Sequence, residues 1–183
     1  MKELALHMLD IAQNSIAAGA RRVALTVEES GGRIRLEVAD DGRGMDPAFL
    51  ARVTDPFTTT RTTRKVGLGL PLLRLAAEQT GGGLEIRSAP GKGTTVTAAF
   101  FSGHIDCPPL GDMAATVALL VQGLPEGMDL VYAHRRGGET FQMDTAQLRE
   151  ILGTEVPLSL PEVTRWVEDY IREGERELPP EEK

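Results

Sequence analysis

The chain contains a single cysteine, Cys107. That excludes an internal disulfide and suits a reducing compartment. It has no surplus of positive charge, since 20 Lys and Arg against 27 Asp and Glu leave a formal charge of −7. Phosphate backbones are held mainly by Lys and Arg, so nucleic acid is not expected as a partner. No apolar run approaches the roughly 20 residues of a membrane-spanning helix. The N-terminus, MKELALHMLD, meets acidic residues too early for a secretory leader. The expectation is a cytoplasmic protein without a membrane segment. The 183 residues, 41% apolar and 26% charged, suffice for one domain, or one domain with a small appendage.

The stretch HMLDIAQNSIAAGA, from His7 to Ala20, organises the rest. At about 100° per residue, His7, Asp10 and Asn14 share one side of a helix, and Leu4, Met8, Leu9, Ala12 and Ile16 cover a broad apolar side. Ala17 and Ala18 flank Asn14, so a carboxylate and an amide one turn apart stand among small side chains. Such a pair can hold a cation and a polar ligand, or it can be the wet face of a surface helix.

Val23, Leu25 and Val27, then Ile34, Leu36 and Val38, alternate with polar residues around Glu29-Ser30-Gly31-Gly32. This predicts a hairpin with one buried face. Its second strand runs into Asp40-Asp41-Gly42-Arg43-Gly44-Met45. Two glycines after a strand permit a tight turn and close backbone approach, and also suit a plain acidic loop. From Asp46 to Val66 the chain is polar, weakly periodic and basic towards Arg61, Arg64 and Lys65, the profile of a mobile loop. Gly67-Leu68-Gly69-Leu70-Pro71 then leads into an amphipathic helix to Gln79, closed by Gly81-Gly82-Gly83. A glycine-flanked helix start exposes N–H groups that attract anions. Leu84 and Ile86, with Val96, Ala98 and Phe100, predict a second strand pair around Pro90-Gly91-Lys92-Gly93-Thr94.

In this order the boxes resemble the ATPase superfamily of gyrases, heat-shock chaperones, histidine kinases and mismatch-repair proteins, whose nucleotide site is the Bergerat fold. Asp10 to Asn14 looks like its N box, and Asn14-Ser15 through Ala18-Gly19-Ala20 is similar to the mismatch-repair version. Asp40 to Gly44 looks like the first glycine box. Asp55-Pro56-Phe57, Gly67-Leu68-Gly69-Leu70 and Gly91-Lys92-Gly93-Thr94 resemble the F box and later glycine boxes of histidine kinases. The resemblance covers roughly Lys2 to Phe101. It implies an ATP site with Mg²⁺ on Asn14 and the adenine amino group on Asp40. Gly42, Gly44 and Met45 would shape the base pocket, and Thr94 would complete the base or lid side of it. Gly67, Leu68, Gly69 and Leu70 would present backbone to the phosphates, Lys65 or Arg64 would add charge, and Phe57 would anchor the loop. Hydrolytic members carry a Glu four residues before the N-box Asn. Asp10 stands there, one methylene shorter, as a slow general base or a helper orienting a metal-bound water.

Little sequence precedes the N box, so a phosphoryl acceptor is expected on another protein, and His7, inside the N-box helix, is not expected to be one. The resemblance leans to the histidine-kinase and anti-sigma-kinase branch, for want of the long later segment that delivers a catalytic Lys in gyrases. The expected fold is a two-layer α/β sandwich. A mixed, mostly antiparallel sheet would be covered on one face by helices over 2–18 and 71–79, with a small α/β extension.

The expected organisation is an ATP-binding domain over 1–102, a linker over 103–109, an α/β region over 110–174 and a charged, frayed tail over 175–183. His104, Asp106 and Cys107 invite a metal reading, but no second cluster with zinc spacing follows, which favours a linker. Asp112 to Gln122 predicts an apolar helix, and Met128–Ala133 with Thr140–Met143 a hairpin. Asp144 with Gln147, and Ser159 with Glu162, read as capping boxes for two more helices. Val163, Trp166, Val167, Tyr170 and Ile171 form a stripe that reads as core or as a partner-binding face. Two functions stay open: phosphoryl transfer from Mg·ATP to a protein or slowly to water, and an ATP-gated interaction module. Oligomeric state is left open.

Overall fold

The computed structural model describes residues 3–55 and 68–181. The chain forms α1 (Leu4–Ala17), β1 (Arg22–Ser30), β2 (Arg33–Asp40), α2 (Pro47–Leu50), α3 (Gly69–Gln79), β3 (Gly83–Ala89) and β4 (Gly93–Phe101). It continues through α4 (Met113–Gln122), β5 (Asp129–Arg136), β6 (Glu139–Asp144), α5 (Thr145–Leu152) and α6 (Pro161–Glu177). Six strands make one sheet in the order β3-β4-β2-β1-β5-β6. Every pairing is antiparallel except β1 with β5, so the expected mixed, mostly antiparallel α/β sheet is present.

Alternation along the strands decides which face is buried. One row of register partners, Ile86–Val96–Val38–Leu25–Tyr132–Met143, crosses all six strands. Every member except the partly buried Ile86 is in the core. The adjacent row, Arg87–Thr95–Ala39–Ala24–Val131–Asp144, faces the other way and is polar or small. α1 packs on β1 and β2, α3 on β3 and β4, and α4 lies against both α1 and α6. Burying each large aliphatic side chain here stabilises the fold by about 1.5–3 kcal/mol. Residues 110–174 thus join the sheet of the first hundred residues through the β1–β5 pairing.

Several local expectations meet a different structure. Asp46 to Leu50, read as loop, includes a one-turn helix, because the Asp46 side chain accepts the Phe49 N–H and Pro47 presets the first turn. α6 starts after Leu160, not after Ser159, with Pro161 in its first turn and no side-chain cap. Residues 175–181, expected as a charged tail, are packed: Leu178 is buried, and Arg136 donates from Nε to the Pro179 carbonyl and from Nη2 to those of Glu175 and Leu178. Among the described residues no helix is long and apolar enough to cross a membrane.

Candidate functional site

The site grows from the C-terminal half of α1. Ser15, one residue past Asn14, turns towards the sheet and is buried; its hydroxyl donates to Asp40 Oδ2 at 2.6 Å. Asp40 ends β2, and its Oδ1 accepts the N–H of Gly42 at 2.9 Å and of Thr94 at 3.2 Å. Asp40 and Thr94 are register partners, so the β2–β4 pairing itself brings the first glycine box to the last. Three donors fix this carboxylate, and Oδ2 keeps room for one more.

Its neighbour has another role. Asp41 Oδ1 accepts the N–H groups of Arg22 and Arg21 at 2.9 and 2.7 Å, and those bonds, Arg22's foremost, hold its carboxyl below the usual range. Asp41 pins the start of β1 and leaves Asp40 to the pocket.

Glycine is required at two places here. Gly44 has φ +68°, and a Cβ there would fall 1.9 Å from the Ala89 carbonyl oxygen. Gly93 has φ +82°, and its Cβ would fall 1.8 Å from the Asp40 carbonyl oxygen. The Gly42–Gly44 loop is therefore pressed onto the β3–β4 turn, and Gly91 N–H donates to Arg43 O at 2.7 Å. Ser88 ties this corner. Its hydroxyl donates to Gly93 O at 3.0 Å and accepts from Met45 N–H at 2.9 Å, and it lies 2.8 Å from the Thr94 hydroxyl. Since the one Ser88 proton is engaged, Thr94 is the donor in that pair.

On the same helix, Asp10 and Asn14 are half-buried, one turn apart. A Cβ on Gly69, the first residue of α3, would fall 1.7 Å from Asp10 Oδ2, so the carboxylate occupies the space a side chain would need. Leu70 points into the core and Leu68 stays exposed. Lys65 and Gly67, with Arg64 and Phe57, for which the resemblance implies roles at the phosphates and in the loop, lie outside the described residues. The structure thus gathers Asp40, Gly42, Gly44, Met45 and Thr94 in one corner, joined to α1 through Ser15, and brings Asp10 of the same helix, one turn before Asn14, against Gly69.

His7 departs from the shared polar side. It is 1% exposed, both ring nitrogens lack a partner, and burial lowers its pKa from 6.5 to about 4. This histidine stays neutral, enclosed in the core. Ser15 and Ser88 were missed by sequence reasoning. Ser15 had a usable signal, since the residue after Asn14 rotates by about 100° towards the sheet.

The residues fit an adenine nucleotide and its metal. Asp40 has acceptor capacity left in a glycine-walled corner, and Asn14 with Asp10 offers hard oxygen donors of the kind Mg²⁺ takes. Among the described residues no group of three or more His, Cys, Asp or Glu is arranged to hold a metal ion, at Cys107 or elsewhere.

The profile of the family described as "Histidine kinase-, DNA gyrase B-, and HSP90-like ATPase" matches residues 2–103. The chain belongs to that family. Sensor protein kinase FleS of Pseudomonas aeruginosa is 42% identical over 93 residues, 49% of this chain and 23% of that protein. Sensor histidine kinase ZraS of Klebsiella oxytoca is 36% identical over 93 residues, 49% of this chain and 20% of its own length. The chain thus spans about a fifth of the length of these relatives. A crystal structure titled as the N-terminal domain of a DNA repair protein superposes with a TM-score of 0.56 at 14% identity, covering 78% of this chain and 52% of that one. That likeness speaks for the fold alone. The matched region is an ATP-binding domain of the histidine-kinase-like type.

Proposed function

We propose that the chain binds Mg·ATP between α1, the start of α3, the end of β2 and the start of β4, and passes the γ-phosphoryl group to a partner protein, or slowly to water. The observation that carries this reading is the Asp10–Gly69 contact, which sets a carboxylate beside the helix start where phosphates would be received. Asp40 accepts the adenine amino hydrogen on the capacity left at Oδ2. Gly42, Gly44 and Met45 let the base lie close, and Thr94 closes the pocket. Asn14 would hold Mg²⁺, and the backbone of Leu68, Gly69 and Leu70 would serve the phosphates; for Gly67 and Lys65, outside the described residues, the same task rests on the resemblance alone. In transfer, the γ-phosphorus loses its bond to the β–γ bridging oxygen and gains one to the acceptor, whose proton Asp10 takes. Most of the rate then comes from positioning and charge stabilisation.

A second reading draws on Asp10 itself. Its side chain is one methylene shorter than Glu, and an error of about 1 Å in placement can cost on the order of a hundredfold in rate. Nucleotide would then gate a protein interaction without turnover. Following γ-labelled phosphate with the purified protein, Mg²⁺ and a lysate of its own cells separates the two. Label on a second protein, lost in Asp10→Asn while ATP affinity survives, supports transfer. ATP bound and recovered intact supports the gate. Unchanged Mg·ATP binding in Asn14→Ala would overturn the site in either reading.

A further inference from the structure

The helical stripe near the C-terminus divides. Val163, Val167 and Ile171 are buried, but Trp166 and Tyr170 are 50% and 41% exposed. Their rings stack at 5.0 Å and 7°. Tyr170 also meets Phe141 of β6 at 5.3 Å, and Phe141 sits where a Cβ on Gly174 would be, 2.1 Å from its ring atoms. An exposed aromatic pair is thereby held rigid by the sheet edge, the condition under which aromatic side chains anchor a partner at low entropic cost.

The charge around the pair has one sign. At about 100° per residue, Glu162, Asp169, Glu173 and Glu177 all project within about 60° of Trp166, while Arg165 and Arg176 lie further round. Each of the four is exposed, and among the described residues none is in an ion pair; Arg172 is engaged with Asp112 and Glu168 instead. Four unneutralised carboxylates disfavour a second copy of the same face, a nucleic acid or an anionic membrane. They favour Lys and Arg, which also lie well on aromatic rings.

We propose that the Trp166–Tyr170 face of α6 docks a basic segment of another protein, its Lys or Arg side chains resting on the stacked rings and pairing with Glu162, Asp169, Glu173 and Glu177. The face lies at the β6 edge, three strands from β2 and the nucleotide corner, so the proposal stands whether or not ATP is turned over.

Trp166 is the only tryptophan and serves as its own reporter. The test titrates the full chain, without nucleotide, with a twelve-residue peptide alternating Arg and Val, and separately with its Glu–Val counterpart. The basic peptide should move Trp166 emission saturably, with affinity falling severalfold between low and physiological salt, and the acidic one should not. Glu162→Lys with Asp169→Lys and Glu173→Lys should weaken the basic peptide by tenfold or more. The same charge change at Glu126, Glu150 and Glu155 should weaken it much less, and Tyr170→Ala, which keeps the reporter, should weaken it severalfold. Equal loss in the two charge-reversed triples, equal response to both peptides, or a dimer of the protein alone that Trp166→Arg dissolves would each overturn the proposal.

Discussion

Strand β1 ends in two polar clusters that use the same kinds of side chain differently. At its Arg22 end lies Asp40, three donors on its carboxylate and capacity for a fourth, walled by glycines. At its Ser30 end, Glu29 Oε1 accepts from His134 Nε2 at 2.8 Å and from Arg136 Nη1 at 3.4 Å. Glu175 Oε1 meets His134 Nδ1 at 3.0 Å and accepts the Tyr132 hydroxyl at 2.5 Å. Arg136 spends its remaining donors on carbonyls at the end of α6. The first cluster holds its carboxylate with neutral donors only; the second ties its carboxylates to His134 and Arg136. Burial alone would not tell them apart, whereas the charge of the partners does. The second cluster latches α6 to the sheet, and the first leaves a carboxylate without a cation, in a glycine-walled corner, for a ligand.

The sharpest way to break the comparison is at Arg136. Arg136→Ala should cost about 3–5 kcal/mol, because Glu29 and the α6 carbonyls lose a partly buried cation, while the Kd for ATP stays within twofold. Chemical denaturation and calorimetric titration check the two halves. Asp40→Asn should do the reverse: the amide keeps Oδ1 for Gly42 and Thr94 but presents a donor to adenine. ATP binding should weaken by about a hundredfold, a loss of roughly 2.7 kcal/mol, with little change in midpoint denaturant.

Smaller effects sharpen it through pH. Burial on its own would lower the His134 pKa, but the bonds to Glu175 and Glu29 overcome this and raise it. The imidazolium's contribution is therefore complete below the ordinary value of 6.5 and is lost as pH rises through the folded pKa. His7 runs the other way: lowered to about 4, it contributes nothing adverse above 6.5, and stability falls as pH drops from 6.5 towards 4. Stability should peak near pH 6.5. His134→Gln should flatten the alkaline limb and His7→Leu the acid one, read from denaturation midpoints across pH 4–9. At neutral pH His7→Leu should add about 1 kcal/mol, since it removes buried polar atoms that have no partner.

Elements defined by local period were legible in the sequence. Both early hairpins, α1, α3 and α4 follow from alternation or helical spacing, and the order of glycine boxes pointed to the family that the profile then matched. Partners across long separations were not legible. Nothing in Leu130–Val131–Tyr132 says that it pairs parallel with β1, about a hundred residues earlier, and that pairing alone places Glu29 beside His134 and Arg136. The spacing of His7 matches that of Asp10 and Asn14 and so suggests a shared polar face, yet its ring is enclosed in the core. The Asp10–Gly69 contact was equally out of reach, being a meeting of two helices that only the fold brings together.

The parallel join between β1 and β5 has a consequence for anyone who would dissect the molecule. The family match ends near residue 103, which invites cutting there. A fragment ending at that point would strip β1 of its neighbour, turn an interior strand into a raw edge and uncover Val23, Leu25 and Val27 along one flank. Exposed edges of that kind recruit other chains. The piece that looks like the whole ATPase by sequence would be, as a material, a seed for aggregation, because the last eighty residues supply the strand that covers that edge.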